Sequence, residues 1–227
     1  MNKRILAGFG LALGLSMAGG DAVAASTDLR ISMTLRKEIQ LSDNSALYRL
    51  RFDLDGDPLK KARKISIVAP SRKRMDMQNP LHLNIAHLEV AESDYAYIIK
   101  TFPEGYYGLR VAPKVLQGGN PSRLFLTHDF PAGLALITPT PGAAGLPTDF
   151  TAEWYPLGNA VNNIFVEITG PEVDYTATLP PTATRFKIPT GLLAAGQSYR
   201  IGLGVRVQAE GTGSHETVQL IDFTTAP

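Results

Sequence analysis

Seven basic residues carry the densest polar chemistry in the chain. Lys60, Lys61, Arg63 and Lys64 lead into the apolar stretch 65–68, and Arg72, Lys73 and Arg74 follow it after an Ala69-Pro70-Ser71 turn. Cationic groups at both ends of one strand suit an anionic partner outside the cytoplasm: lipid phosphates, acidic polysaccharide or an acidic protein face. The same pattern also serves as a solvated edge that resists strand-to-strand aggregation. A strand of five residues rises roughly 17 Å, which exceeds a Debye length of about 8 Å. The two groups therefore act separately in free solution, yet both reach one extended surface.

Three carboxylates near a glycine, Asp53, Asp55 and Asp57 around Gly56, have the look of a truncated calcium loop. The spacing departs from the full motif: the glycine is misplaced and position 64 is Lys64 where a glutamate is needed. A charged strand end followed by a turn explains the same residues. The four histidines, His82, His87, His128 and His215, would have to converge to hold zinc or copper. His82 and His87 are five apart and fall on opposite faces of a regular strand, so only a bulge near Ala86 would reunite them. The chain has no cysteine, which excludes disulfides and thiolate metal sites. It has no Gly-x-Ser-x-Gly elbow and no phosphate-binding glycine loop. No cofactor is expected. Tyr95, Tyr97, Tyr106 and Tyr155 are candidates for stacking on sugars, with core packing as the competing role.

The elements that must position these groups are strands. Leu29, Ile31, Met33 and Leu35 alternate with polar residues, and so do Tyr48, Leu50, Phe52 and Leu54. Period-two alternation marks strands with one buried face. The wet face of the second strand is all charge: Arg49, Arg51, Asp53, Asp55. Further strands are expected at 65–68, at Leu81, Leu83 and Ile85 with a bulge near Ala86, at Tyr107, Leu109 and Val111, and at 123–128. One helix is expected over 93–100, with Ser93 as cap, Asp94 in its first turn and Tyr95, Ile98 and Ile99 as its apolar face. Four prolines and three glycines between Pro131 and Pro147 make the natural linker. Beyond it, Phe150, Ala152 and Trp154, then Ile164, Val166 and Ile168, then Tyr199, Ile201, Leu203, Val205 and Val207 repeat the alternation.

The first 25 residues read as a secretory leader. Lys3 and Arg4 precede an apolar segment, 5–18, too short to span a bilayer comfortably, and Ala22-Val23-Ala24 supplies the small-x-small cleavage pattern. The mature chain is expected to begin at Ala25 or Ser26, in the periplasm or outside the cell, and not as an integral membrane protein. Net charge is +1, which hides an asymmetry. Residues 26–131 carry 16 Lys/Arg and 12 Asp/Glu, and residues 132–227 carry 4 and 8, so the halves stand at +4 and −4. Opposite signs support a boundary near 131 and a weak, salt-sensitive attraction between the halves. No nucleic-acid partner is implied.

Residues 136–227 resemble a fibronectin type III domain. Pro147 followed by 150–154 is similar to its opening strand with the buried tryptophan. Leu193, Gly196 and Tyr199 resemble its tyrosine corner, and 218–225 its closing strand. The resemblance implies a β-sandwich and says little about ligand; without an Arg-Gly-Asp tripeptide it does not imply integrin binding. The first half echoes the second: Phe102, Gly105 and Tyr107 against Leu193, Gly196 and Tyr199, and 129–131 against 222–224. Two sandwiches in tandem give such a spacing.

The sequence thus predicts an all-β protein. A signal peptide (1–25) is followed by an N-terminal β-rich domain with one short helix (26–131), for which an immunoglobulin-like sandwich is one reading. A fibronectin type III-like domain (132–227) completes it. The expected function is non-enzymatic binding: an adaptor that docks a protein or a cell-envelope component, polysaccharide included, through loops or strand edges. A carbohydrate-binding accessory module is the alternative, and a small hydrolase with an unrecognised site is the second alternative.

Overall fold

A computed structural model describes residues 29–79, 81–112, 124–158, 161–209, 211 and 213–227. The expected leader lies outside these residues. The described residues are all-β with one short α-helix. In order it forms β1 (Arg30–Gln40), β2 (Ser45–Asp55), a 3-10 turn (Asp57–Lys61), β3 (Lys64–Val68), β4 (Arg74–Met77) and β5 (Ile85–Glu92). The helix α1 (Tyr95–Thr101), β6 (Gly105–Ala112) and β7 (Leu124–Leu126) follow. The second half supplies β8 (Leu136–Thr138), β9 (Thr151–Trp154), β10 (Asn163–Gly170), β11 (Val173–Leu179), β12 (Arg185–Lys187), β13 (Ser198–Gln208) and β14 (Gly213–Thr224).

Hydrophobic alternation decides which face of each strand turns inward. Ile31, Met33 and Leu35 of β1 and Leu50, Phe52 and Leu54 of β2 are buried against Ile65 and Ile67 of β3, Leu109 and Val111 of β6, and Leu124. These residues close one core between the strands β1, β2 and β5 and the sheet β4-β3-β6-β7. A second core lies between the sheet β12-β9-β8 and the strands β11, β10, β13 and β14. Trp154 is at its centre, 1% exposed, and its indole N–H donates to the Ala183 carbonyl at 2.7 Å. Burying an indole without that partner would leave a costly unsatisfied donor.

The tyrosine corner forms as the residue spacing implies. The Tyr199 hydroxyl accepts from the Ala194 N–H at 2.9 Å. In the first half the Tyr107 hydroxyl is instead a donor, to the Pro103 carbonyl at 2.9 Å. Burial pushes the Tyr107 phenol up, so it stays a hydroxyl and keeps the bond.

The two cores share one sheet. β1 runs parallel to β14, in register from Met33 opposite Gly213 to Gln40 opposite Leu220. The result is a seven-stranded sheet in the order β11-β10-β13-β14-β1-β2-β5. The proline-rich stretch after 131 packs against it: the Thr217 hydroxyl donates to the Pro131 carbonyl at 2.6 Å, and Leu134 is buried. The strand β8 lies inside that stretch.

Three local readings are corrected. Leu81, Leu83 and Ile85 do not form a half-buried strand, and there is no bulge at Ala86. β5 starts at Ile85, pairs with β2 in one unbroken register, and turns Ala86, Leu88 and Val90 inward. The helix is capped by Asp94, whose carboxylate accepts from the Ala96 N–H at 2.9 Å, and not by Ser93. Ile98 is its buried residue, while Ile99 faces solvent.

Candidate binding surfaces

The outer face of the seven-stranded sheet carries a chain of ion pairs across six strands. Arg36 of β1 reaches Glu216 of β14 at 2.7 Å and Glu167 of β10 at 2.8 Å. Arg206 of β13 reaches the same Glu216 at 2.6 Å. Arg49 of β2 bridges Glu38 of β1 and Glu89 of β5. Glu216 is 1% exposed, so it is held by two guanidiniums in place of water. Burial alone would lower the Arg36 pKa; the carboxylates of Glu216 and Glu167 outweigh it and raise the group above its ordinary value. Both guanidiniums also lie over the Phe165 ring, at 5.4 and 5.1 Å from its centroid. That ring lies flat on β13 because position 204 is glycine; a Cβ there would collide with it. This cluster consumes its own charges and stitches the two halves together.

The seven basic residues are placed at two ends of β3. Arg72, Lys73 and Arg74 surround the hairpin between β3 and β4, where Val68 stands opposite Arg74. Lys60 and Lys61 close the 3-10 turn at the other end, with Arg63 and Lys64 entering β3. Lys60 is paired to Asp57 at 2.7 Å and Lys64 to Asp76 at 3.0 Å. Among the described residues Lys61 and Arg63 have no ion-pair partner. A cleft of about 200 Å³ opens beside Arg63 and Lys64, with Gln78, Asn79 and His82 on its other side.

Next to that cleft the chain presents apolar surface to water. Leu81 is 67% exposed, Leu83 45% and Ile85 56%. The loop that carries the two leucines is tied down by the Asn79 side chain and by backbone bonds. Asn79 donates from Nδ2 to the Leu59 and Leu83 carbonyls at 3.2 and 3.0 Å, and its Oδ1 accepts from the Leu83 N–H at 3.0 Å. The Gly56 N–H donates to the Asn84 carbonyl at 2.8 Å. His82 takes a left-handed conformation, φ 51°, which breaks the alternation that reads as a strand. The sequence signal for this loop is Asn79 itself, a residue that competes with strand pairing by bonding nearby backbone.

The remaining candidates fall elsewhere. Asp53 pairs with Arg51 and Asp57 with Lys60, while Asp55 ends β2. Among the described residues no three His, Asp or Glu side chains converge as a metal site. His82 and His87 lie on the loop and on β5. His128 bonds the Phe102 carbonyl, and His215 is buried on the inner side of β14. Tyr95 is half-buried, stacked on Tyr48 at 4.6 Å and tilted against Phe130. Tyr106 is exposed on β6 and packs edge-on to Phe125 at 5.0 Å, and Tyr155 is also exposed. A shallow depression of about 510 Å³ lies at the far end of the second half, beside Thr169, Gly170 and Ser198. Its one guanidinium, Arg200, is already bidentate on Asp222. Among the described residues no helix is long and apolar enough to cross a membrane.

No family model matches the chain. No curated protein matches it either. Among solved structures it is similar to a two-domain fibronectin type III segment from chicken tenascin, at 16% identity and a TM-score of 0.27, over 86% of this chain and 98% of that one. It is also similar to the FN1-FN3 domains of chicken CNTN1, at 16% identity and a TM-score of 0.27, over 86% of this chain and 66% of that one.

Proposed function

We propose that the protein is an exported, non-enzymatic binding protein. In this reading it is built from an immunoglobulin-like unit and a fibronectin type III-like unit, and it docks a component of the cell envelope at the loop before β5. The observation that carries the reading is the exposure of Leu81 and Leu83 on a hydrogen-bonded loop, with exposed Ile85 opening β5 just after it. Contiguous apolar surface beside charge marks an interaction site more often than a scattered exposed leucine does. Export rests on Lys3, Arg4, the apolar segment 5–18 and the Ala22-Val23-Ala24 site. The opening strand, the buried Trp154 and the Tyr199 corner support the fibronectin-like assignment of the second half.

The test has two arms. N-terminal sequencing of the exported protein should begin at Ala25 or Ser26; a soluble cytoplasmic product that retains Met1 sinks the export reading. Binding to envelope extracts should weaken when Leu81 and Leu83 are both changed to serine. Unchanged binding removes the loop from the function.

A second reading is favoured by one observation. Tyr106 and Phe125 form an edge-on pair on the outer side of the β4-β3-β6-β7 sheet, with Arg110 on the same exposed face four residues along β6. An aromatic pair and a guanidinium on one exposed face suit an acidic sugar. A glycan array read with the parent protein and with Tyr106→Ala discriminates the two.

A further inference from the structure

We infer that the loop before β5 and the adjoining basic end of β3 form a docking surface for an anionic phospholipid bilayer. This deepens the binding reading and rests on it. Two kinds of group stand together there. The side chains of Leu81, Leu83 and Ile85 are apolar and exposed. Lys61 and Arg63 are exposed cations without an ion-pair partner among the described residues, and the cleft bounded by Arg63, Lys64 and His82 has room for a phosphate. A lipid interface is the one surface that offers both complements at a few ångströms' separation: anionic headgroups outside and acyl chains beneath. A flat acidic polysaccharide would use the cations and leave the leucines in water. An apolar protein groove would use the leucines and leave the cations unmatched.

The architecture fits a surface contact. The pairing of Arg30 with Asp55, and of Asp55 with Ile85, puts the start of β1, the end of β2 and the start of β5 at one end of the first half. The second half joins β1 only from Met33 onward, toward Gln40. Among the described residues, no strand of the second half reaches the leucine loop. The Asn79 hydrogen bonds fix the loop beforehand, so little ordering entropy is lost on contact. Arg72, Lys73 and Arg74 sit at the opposite end of β3 with no exposed leucine beside them, and they supply an internal control.

The experiment is vesicle co-sedimentation of the mature full chain. One set of vesicles is phosphatidylcholine with a large fraction of phosphatidylglycerol, and the other is phosphatidylcholine alone. Binding is expected to the anionic vesicles and to fall steeply with salt. Leu81→Ser with Leu83→Ser should lower it by about tenfold or more, through lost interfacial burial. Lys61→Gln with Arg63→Gln should lower it and flatten the salt dependence. Arg72→Gln, Lys73→Gln and Arg74→Gln together should leave it within about twofold, since they lie beyond a Debye length from the loop. Urea midpoints of all variants should match the parent, which separates lost docking from lost folding. Equal binding by the leucine variant, or equal loss in the triple variant, overturns the inference. So does occupancy of the cleft by inorganic phosphate alone with no vesicle binding. If anionic vesicles fail while extract or glycan binding still depends on Leu81 and Leu83, the bilayer is the wrong partner and the binding reading stands. If none of them binds, both fall.

Discussion

Arg36 on β1 donates from Nε to Glu216 on β14 at 2.7 Å, although the two residues stand 180 positions apart in the chain. The bond crosses the only parallel strand pair of the seven-stranded sheet, so it joins the first half to the last strand. Glu216 is shielded from water and shared with Arg206. Removing Glu216 as Glu216→Leu leaves two guanidiniums facing each other across a buried position. That change should destabilise the protein by about 3–5 kcal/mol, the range for breaking a buried pair on one side only. Urea denaturation measures it, and a loss near zero would show that the cluster is solvated.

The core of the second half makes a graded prediction. Trp154→Ala removes a buried indole and should cost about 3–5 kcal/mol. Tyr199→Phe and Tyr107→Phe delete only a hydroxyl bonded to backbone, and each should cost about 0.5–1.5 kcal/mol. Urea midpoints rank the three. A Tyr107 loss as large as the Trp154 loss would contradict a role limited to the one hydrogen bond to Pro103.

Gly204 should tolerate no side chain while Phe165 is present. Gly204→Ala drives a Cβ into the aromatic ring, and overpacking of this kind costs about 1–3 kcal/mol. In the Phe165→Leu background the same substitution should cost less, because the two sites share one contact. Additive losses in the double variant would mean that the glycine serves its own backbone and not the ring.

His215 predicts a pH dependence. Burial lowers its pKa below the ordinary 6.5; Asp129 and Glu104 favour the charged form and His128 opposes it. Its Nε2 accepts from the Thr127 N–H at 3.4 Å, a role the protonated ring cannot fill. The unfolded chain takes up the proton near 6.5 and the folded chain only at lower pH. Stability from this group is therefore complete above about 6.5 and is lost as pH falls toward the lowered folded value. Thermal midpoints measured across that window should drop for the parent, and His215→Gln should flatten the drop.

Much of this architecture is legible in the residues. The alternation through Ile31, Met33 and Leu35, or through Tyr199 to Val207, fixes strand and face together, because each apolar side chain needs the same buried side. Trp154 and Tyr199 announce the second core for the same reason. The pairing of β1 with β14 is not legible, since a parallel contact between strands so far apart leaves no local mark in either sequence. The loop at 81–85 misleads for a different reason. Its leucines keep the strand period, but the Asn79 hydrogen bonds and the left-handed His82 hold them off the sheet. The basic residues are easy to find, yet which of them lie beside exposed apolar surface depends on that loop.

The parallel pairing of the first strand with the last constrains the order of assembly. A chain delivered from its N-terminus presents β1 and its hairpin partner long before β14 arrives. Until then one flank of β1 is an open row of backbone donors and acceptors, a template for any passing extended chain. Only the final stretch from Gly213 to Thr224 covers it, and the same stretch covers the flank of β13. One segment thus closes two raw edges at once. A product cut short before Gly213 would be left with both, and it would be expected to aggregate even though most of its residues could still pack.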